Sequence, residues 1–153
     1  MIQPAVDALE MDELCISKRR NLWLWTAVSR QTSQLLACVI GDRGGANVDA
    51  LRALLPATDK RRLIYTDGYA AYSERLPASR HRICQKGDGG TSVVEGVNNS
   101  LRHRCSFLVR RHSGPRHLIE SVTLRLDRAV RAHNAACQKR WDQRQRTATT
   151  SAT

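Results

Sequence analysis

Three carboxylates in this chain are placed where they could act together. Ile64-Tyr65-Thr66-Asp67-Gly68-Tyr69 is a short β-branched and aromatic run ending on an acid followed at once by glycine, which reads as a strand delivering Asp67 to the edge of a sheet. Asp12 falls in an early strand and Glu95 near the start of a helix. Acids converging from rigid elements can hold Mg²⁺, a hard cation that prefers oxygen ligands. Two such ions about 3.5–4 Å apart can polarise a phosphodiester, activate water or a 3′-hydroxyl, and stabilise the leaving oxygen. The trio therefore suggests metal-dependent phosphoryl transfer. Glu13 faces the other side of the strand from Asp12 by alternation, and is expected to be a solvated or structural acid. Asp42 and Asp88 lie in loops, where turn chemistry accounts for them.

The elements that must position these acids follow in order. Glu10 to Ile16, Leu22 to Val28 and Leu35 to Ile40 read as three strands with short links, hence an antiparallel meander. Trp23 and Trp25 alternate with leucines and read as packing residues. Asp42-Arg43-Gly44-Gly45 breaks the pattern, and Asn47 is placed to cap a helix through Val48, Leu51, Leu54 and Leu55, ended by Pro56. The Asp67 strand comes next. A short helix through Tyr69, Tyr72 and Leu76, a weak strand from Arg80 to Cys84, and a glycine-rich loop to Thr91 come after it. Ser92 with Glu95 has the spacing of a capping box, opening a helix with the stripe Val94, Val97, Leu101 and Leu108, closed by Ser113-Gly114-Pro115. Leu118 to His133 form a last amphipathic helix. This order describes an α/β fold: a ribonuclease-H-like mixed sheet, three antiparallel strands followed by parallel strands, with flanking helices. Asp12 and Asp67 would be sheet neighbours in it, with Glu95 brought alongside. The division expected is a lead over 1–9, a catalytic domain over 10–136, and a basic, disordered tail over 137–153.

Composition bounds the partners. The chain has 153 residues, 41% of them apolar, and a chain of this size buries about two-thirds of its unfolded surface in one core. No run approaches the roughly 20 apolar residues of a membrane span, and Met1 to Glu10 has no signal-peptide pattern. The expectation is a soluble protein that does not engage a membrane. Five cysteines, odd in number and never spaced C-x-x-C, read as reduced cytosolic thiols. The five histidines have no metal-ligand spacing. Lys and Arg number 25 against 14 acids, a net charge of +11 supplied almost wholly by arginine, which favours bidentate phosphate contact and a polyanionic partner.

The residues also resemble a known family. Met11-Asp12-Glu13-Leu14, Trp23-Leu24-Trp25, Val39-Ile40-Gly41-Asp42-Arg43, Ile64 to Tyr69 with Ala71-Tyr72, Leu76-Pro77-Ala78-Ser79 with His81-Arg82, and Glu95-Gly96-Val97-Asn98-Asn99-Ser100-Leu101-Arg102 stand in the order and spacing of insertion-sequence-one transposases, of the Asp-Asp-Glu group. The resemblance covers most of residues 10–135. It implies cleavage and strand transfer of DNA at insertion-sequence ends, with Asp12, Asp67 and Glu95 as catalytic metal ligands, two Mg²⁺ or Mn²⁺ ions as cofactors, and Asn98 and Arg102 as helpers. Arg102 lies about two helical turns, roughly 10 Å, beyond Glu95 on one face, placed to hold a DNA phosphate. Asn98, one turn beyond Glu95, is expected to contact DNA or to orient Glu95, and Arg104, Arg110 and Arg111 extend the expected DNA surface. The implied partners are transposon ends, target DNA, further copies of the chain on DNA, and the product of an upstream zinc-finger and helix-turn-helix frame, in a cytoplasmic, nucleoid-associated setting. The chain departs from the family at Cys15, where tryptophan is usual, and at Gly96, where a basic residue is usual. A nuclease that cleaves without joining, and an inactive DNA-binding fragment, are the other readings.

Overall fold

Alternation of apolar and polar residues builds the first part of the chain into a meander. In the computed structural model, which describes residues 8–85, 87–105, 108 and 118–150, β1 (Leu9–Ser17), β2 (Leu22–Ser29) and β3 (Leu35–Gly41) pair antiparallel. The first link turns on Asn21 at φ 47°, a left-handed conformation that asparagine tolerates better than most residues. Asp42 then closes the next turn, its Oδ1 accepting from Gly44 N–H at 2.9 Å and from Asn47 Nδ2 at 2.7 Å. Asn47 is therefore not the cap that the sequence suggests. With its amide spent on Asp42 it lies inside α1 (Ala46–Leu54), whose N-cap position is Gly45.

The crossover returns the chain to the far side of β1. There β4 (Ile64–Thr66) pairs parallel with β1, and after α2 (Ala70–Arg75) the strand β5 (His81–Ile83) pairs parallel with β4. The sheet order is β3-β2-β1-β4-β5. This is the mixed sheet that the order of sequence patterns predicts, with β1 at its centre.

Both faces of the sheet are covered. Leu9, Met11, Trp25 and Ala27 pack with Val48 and Leu51 of α1 and Tyr72 of α2. On the other face Leu14, Leu24 and Val28 pack with Val94, Val97 and Leu101 of α3 (Ser92–Arg104) and with Val122 and Leu126 of α4 (Leu118–Thr150). Helix α3 stops sooner than its apolar stripe suggests. Cys105 takes an extended conformation, φ −124° and ψ 95°, and Leu108 reaches the same core from a tight turn, its N–H donating to Cys105 O at 2.9 Å. A stripe that continues past a helix end looks in sequence like more helix. The expected stop, Ser113-Gly114-Pro115, lies outside the described residues.

Helix α4 differs in the opposite sense. It runs to Thr150, so the stretch expected as a disordered tail is helical that far. No glycine or proline interrupts Leu118 to Thr150, and pairs one turn apart support the exposed face, Arg131 Nε donating to Asp127 at 2.8 Å and Gln138 Nε2 to Asp142 at 3.0 Å. The helix is pinned to the sheet at its middle: Asn134 accepts from Leu35 N–H at 2.8 Å and donates to Leu35 O at 2.9 Å, and His133 Nε2 lies 2.8 Å from Ser33 O. Residues 142–150 are exposed. No helix among the described residues is long and apolar enough to cross a membrane.

Candidate active site

Strand alternation sorts the acids of β1. Leu9 and Met11 point to the α1–α2 layer, as does Glu13, so Glu10, Asp12 and Leu14 point to the α3–α4 layer. The parallel pairing of β1 with β4 matches Leu9 to Ile64 and Glu10 to Tyr65. Carried on by two residues, that register sets Asp12 level with Asp67, and neighbouring strands are about 4.8 Å apart. Asp67 is the first residue beyond β4 and is exposed. Its Oδ1 accepts from Tyr69 N–H at 3.0 Å, closing an Asx turn. The Thr66 hydroxyl donates to Asp67 O at 2.8 Å, and His81 Nε2 lies 2.7 Å from the same hydroxyl. A hydroxyl has one proton. With that proton on the Asp67 carbonyl, His81 is the donor and carries its hydrogen on Nε2, tying β5 to the turn that presents Asp67.

Asp12 sits in a tighter environment. Burial, reinforced by the neighbouring Glu13 and Asp67 carboxylates, pushes its carboxyl up to about 6, against the pull of the Glu13 N–H and the Asn98 amide. Asn98 Nδ2 donates to Asp12 Oδ2 at 2.8 Å, and the Thr26 hydroxyl lies 3.1 Å from Asn98 Oδ1 and 3.2 Å from Asp12 O. Thr26 and Asn98 are both buried. The expectation that Asn98 contacts DNA or orients Glu95 is thus corrected: its amide faces inward and orients Asp12, because Thr26 on β2 holds its oxygen and leaves its nitrogen toward the carboxylate.

Glu95 stands apart from this pair. It is the fourth residue of α3, exposed, and accepts from the Thr91 hydroxyl at 3.0 Å. Its charge bears on Glu10, whose carboxyl it helps to raise behind the larger effect of burial. Among the described residues no group of three or more Asp, Glu, His or Cys side chains is arranged to hold a metal ion. Asp12 and Asp67 do offer hard oxygen donors, the donor chemistry a divalent cation takes. Arg102 and Arg104 are exposed in the last turn of α3. Arg110 and Arg111 lie outside the described residues.

On the opposite face of β1, Glu13 is structural, with its side chain only 3% exposed. Its Oε1 accepts from Arg43 at 2.7 and 3.2 Å, and its Oε2 from the Tyr72 hydroxyl at 2.9 Å. The Arg43 guanidinium lies between the rings of Trp23, at 4.3 Å, and Tyr69, at 4.4 Å, and Tyr69 donates its hydroxyl to Arg43 O at 2.8 Å. This cluster braces the Asp67 turn from behind. Thr26, Arg43 and Glu10 do not stand out as site residues from sequence. Alternation from Asp12 would have put Glu10 and the pairing partner Thr26 on the same face as Asp12, whereas Arg43 in a glycine-rich turn gives no such signal.

Known proteins resemble this chain in sequence and in fold. Residues 6–144 match the IS1 transposase family. The chain is 33% identical over 116 residues to the Insertion element IS1 4 protein InsB of Escherichia coli (strain K12), covering 72% of this chain and 67% of that protein. The IS1 2 protein InsB of the same organism matches at the same identity and coverage. Among solved structures, the catalytic core domain of BIV integrase superposes with a TM-score of 0.50 at 12% identity, covering 80% of each chain, so the fold is ribonuclease-H-like. With the family match spanning nearly the whole chain and the relatives matching along two-thirds of their own length, this chain belongs to the IS1 transposase family.

Proposed function

We propose that this chain carries the metal-dependent cutting and joining of DNA at insertion-sequence ends, with Asp12 and Asp67 as fixed ligands of Mg²⁺ or Mn²⁺ and Glu95 as the third acid, supplied from α3. The observation that supports it most is the parallel β1–β4 register, which carried on by two residues brings Asp67, just beyond β4, level with Asp12, whose carboxyl burial and the neighbouring acids Glu13 and Asp67 push up to about 6. Such crowding of acids marks functional sites. A bound pair of divalent ions supplies charge at the phosphodiester and lowers the cost of forming the attacking oxygen. The protein's own residues do the rest. Asn98 and Thr26 keep one Asp12 oxygen occupied and so fix the direction in which the other points. His81 and Thr66 hold the Asp67 turn. Arg102 and Arg104, with Arg110 and Arg111, are positioned along the chain to take DNA phosphates, consistent with the net charge of +11. Transposon-end and target DNA are the substrates, assembled with further copies of the chain, and an upstream zinc-finger and helix-turn-helix product supplies end recognition.

The test separates chemistry from binding. Asp67→Asn keeps the volume of the side chain and its Asx-turn acceptor while removing the charge. Labelled end DNA and target plasmid with Mg²⁺ or Mn²⁺ give joined products for the wild type and none for the variant, whereas retention of the same DNA in chelator is equal or tighter. Equal joining by both proteins removes Asp67 from the site. Cleavage without joining by the wild type makes the chain a nuclease, and chelator-insensitive binding without cleavage in any metal makes it an inert DNA-binding fragment.

A further inference from the structure

The helix that carries Glu95 starts without a cap of its own. Thr91, at its N-cap position, spends its hydroxyl on the Glu95 carboxylate and makes no side-chain bond to a backbone N–H of the first turn, although the first N–H groups of a helix have no partner within it. The acceptor arrives from the sheet. Glu10 Oε2 accepts from Val94 N–H at 2.8 Å, across 84 positions of chain. Glu10 is fully buried, and a buried carboxylate needs compensating charge. Arg30 Nε supplies it as an ion pair 3.0 Å from Oε1, which has no hydrogen-bond partner among the described residues. Arg30 is itself held in place, its guanidinium 4.2 Å over the Tyr65 ring and its backbone N–H donating to Ala8 O at 2.9 Å.

Two pins therefore join α3 to β1. From Val94 to Asn98 is one turn of helix, about 6 Å of rise. From Glu10 to Asp12 is two residues of strand on one face, about 6.6 Å. The two spacings match, so the Glu10–Val94 and Asp12–Asn98 bonds hold helix and strand in a single axial register, and Glu95 lies between the pins. A carboxylate suits the first pin on two counts, as an acceptor for an orphan N–H and as a negative charge at the positive end of a helix.

We propose that Glu10 is a positioning residue, setting the axial place of α3 against β1 and through it the reach of Glu95 toward Asp12 and Asp67. This rests on the reading of Glu95 as the third acid. The probes are amide hydrogen exchange in chelator, without DNA, and Mn²⁺ titration calorimetry, on wild type, Glu10→Gln and Glu10→Asp, with circular dichroism to check folding. Aspartate keeps the charge but falls one methylene short of α3. In both variants exchange at the Val93 and Val94 amides should quicken at least about tenfold while amides of β1 and β2 keep their protection, and Mn²⁺ affinity should fall about 10- to 100-fold, the usual cost of losing a residue that orients a metal ligand. Unchanged protection at Val94 overturns the proposal, as does faster exchange spread over the whole sheet, which would make Glu10 a general stabiliser. Wild-type affinity in Glu10→Asp with loss in Glu10→Gln overturns it too, since charge alone would then be acting. A wild type that binds no Mn²⁺ sinks the reading of Glu95 as a metal ligand, and in that case the exchange data still decide whether Glu10 holds α3.

Discussion

At the scale of single residues, the cost of the site is visible in Asp12. Its carboxyl is raised from the ordinary 3.8 to about 6, so the folded state binds its proton more tightly than the unfolded chain does. The stability this contributes is complete below about pH 4 and is lost as pH rises through about 6. Asp12→Asn mimics the protonated form. Thermal melts should show the variant more stable than wild type at pH 8 by about 3 kcal/mol, and nearly equal to it at pH 3.5. A gap that does not shrink on acidification would remove the electrostatic explanation. The same residue shows what sequence can reveal. The places of Asp12 in β1 and of Asp67 just after β4 are legible because strand patterns and an acid before glycine are local signals. Asn98's inward turn is not, because Thr26, its fixing partner, sits 72 positions away.

At the scale of elements, helix interiors were easier to read than helix ends. Both ends of α3 were set by residues outside the helix, Glu10 at its start and Leu108 beyond its finish. The early strands, by contrast, were read to within about a residue, since each is bounded by turn residues of its own. Within α3, Gly96 is exposed, and a Cβ built on it would meet nothing within 4 Å. Gly96→Ala should therefore stabilise the protein by about 1 kcal/mol, read from denaturant midpoints at unchanged m value. Gly96→Arg should gain nearly as much and restore the basic residue usual in the family beside Glu95. Destabilisation by either would mean that α3 needs the flexibility of glycine there.

At the scale of the whole molecule, charge and shape coincide in α4. Nine residues at its end, 142–150, are exposed, and the helix beyond its anchor at His133 and Asn134 carries Lys139, Arg140, Arg144 and Arg146. A basic rod standing off the body suits a DNA backbone. Lys139, Arg144 and Arg146 changed together to glutamine should leave thermal stability within about 0.5 kcal/mol of wild type. The log–log dependence of DNA retention on salt should become shallower by about 0.9 for each phosphate that the variant no longer neutralises. An unchanged slope would place the DNA elsewhere on the surface.

The sheet order has a consequence for the timing of assembly. The β1–β2–β3 meander closes through short links, whereas β1 gains its neighbour β4 through a long crossover and Asp12 its Asn98 partner across 86 positions. Loop closure delays contacts of that range, and nonlocal pairing slows folding. A chain emerging from the ribosome can thus fold its meander at once, with Asp12 already in a strand but facing an unfinished layer. Only when α3 has been synthesised do Asp12, Asp67 and Glu95 belong to one structure. The site proposed for cutting DNA is thus completed late in synthesis, because its residues are contributed by both ends of the sheet's construction.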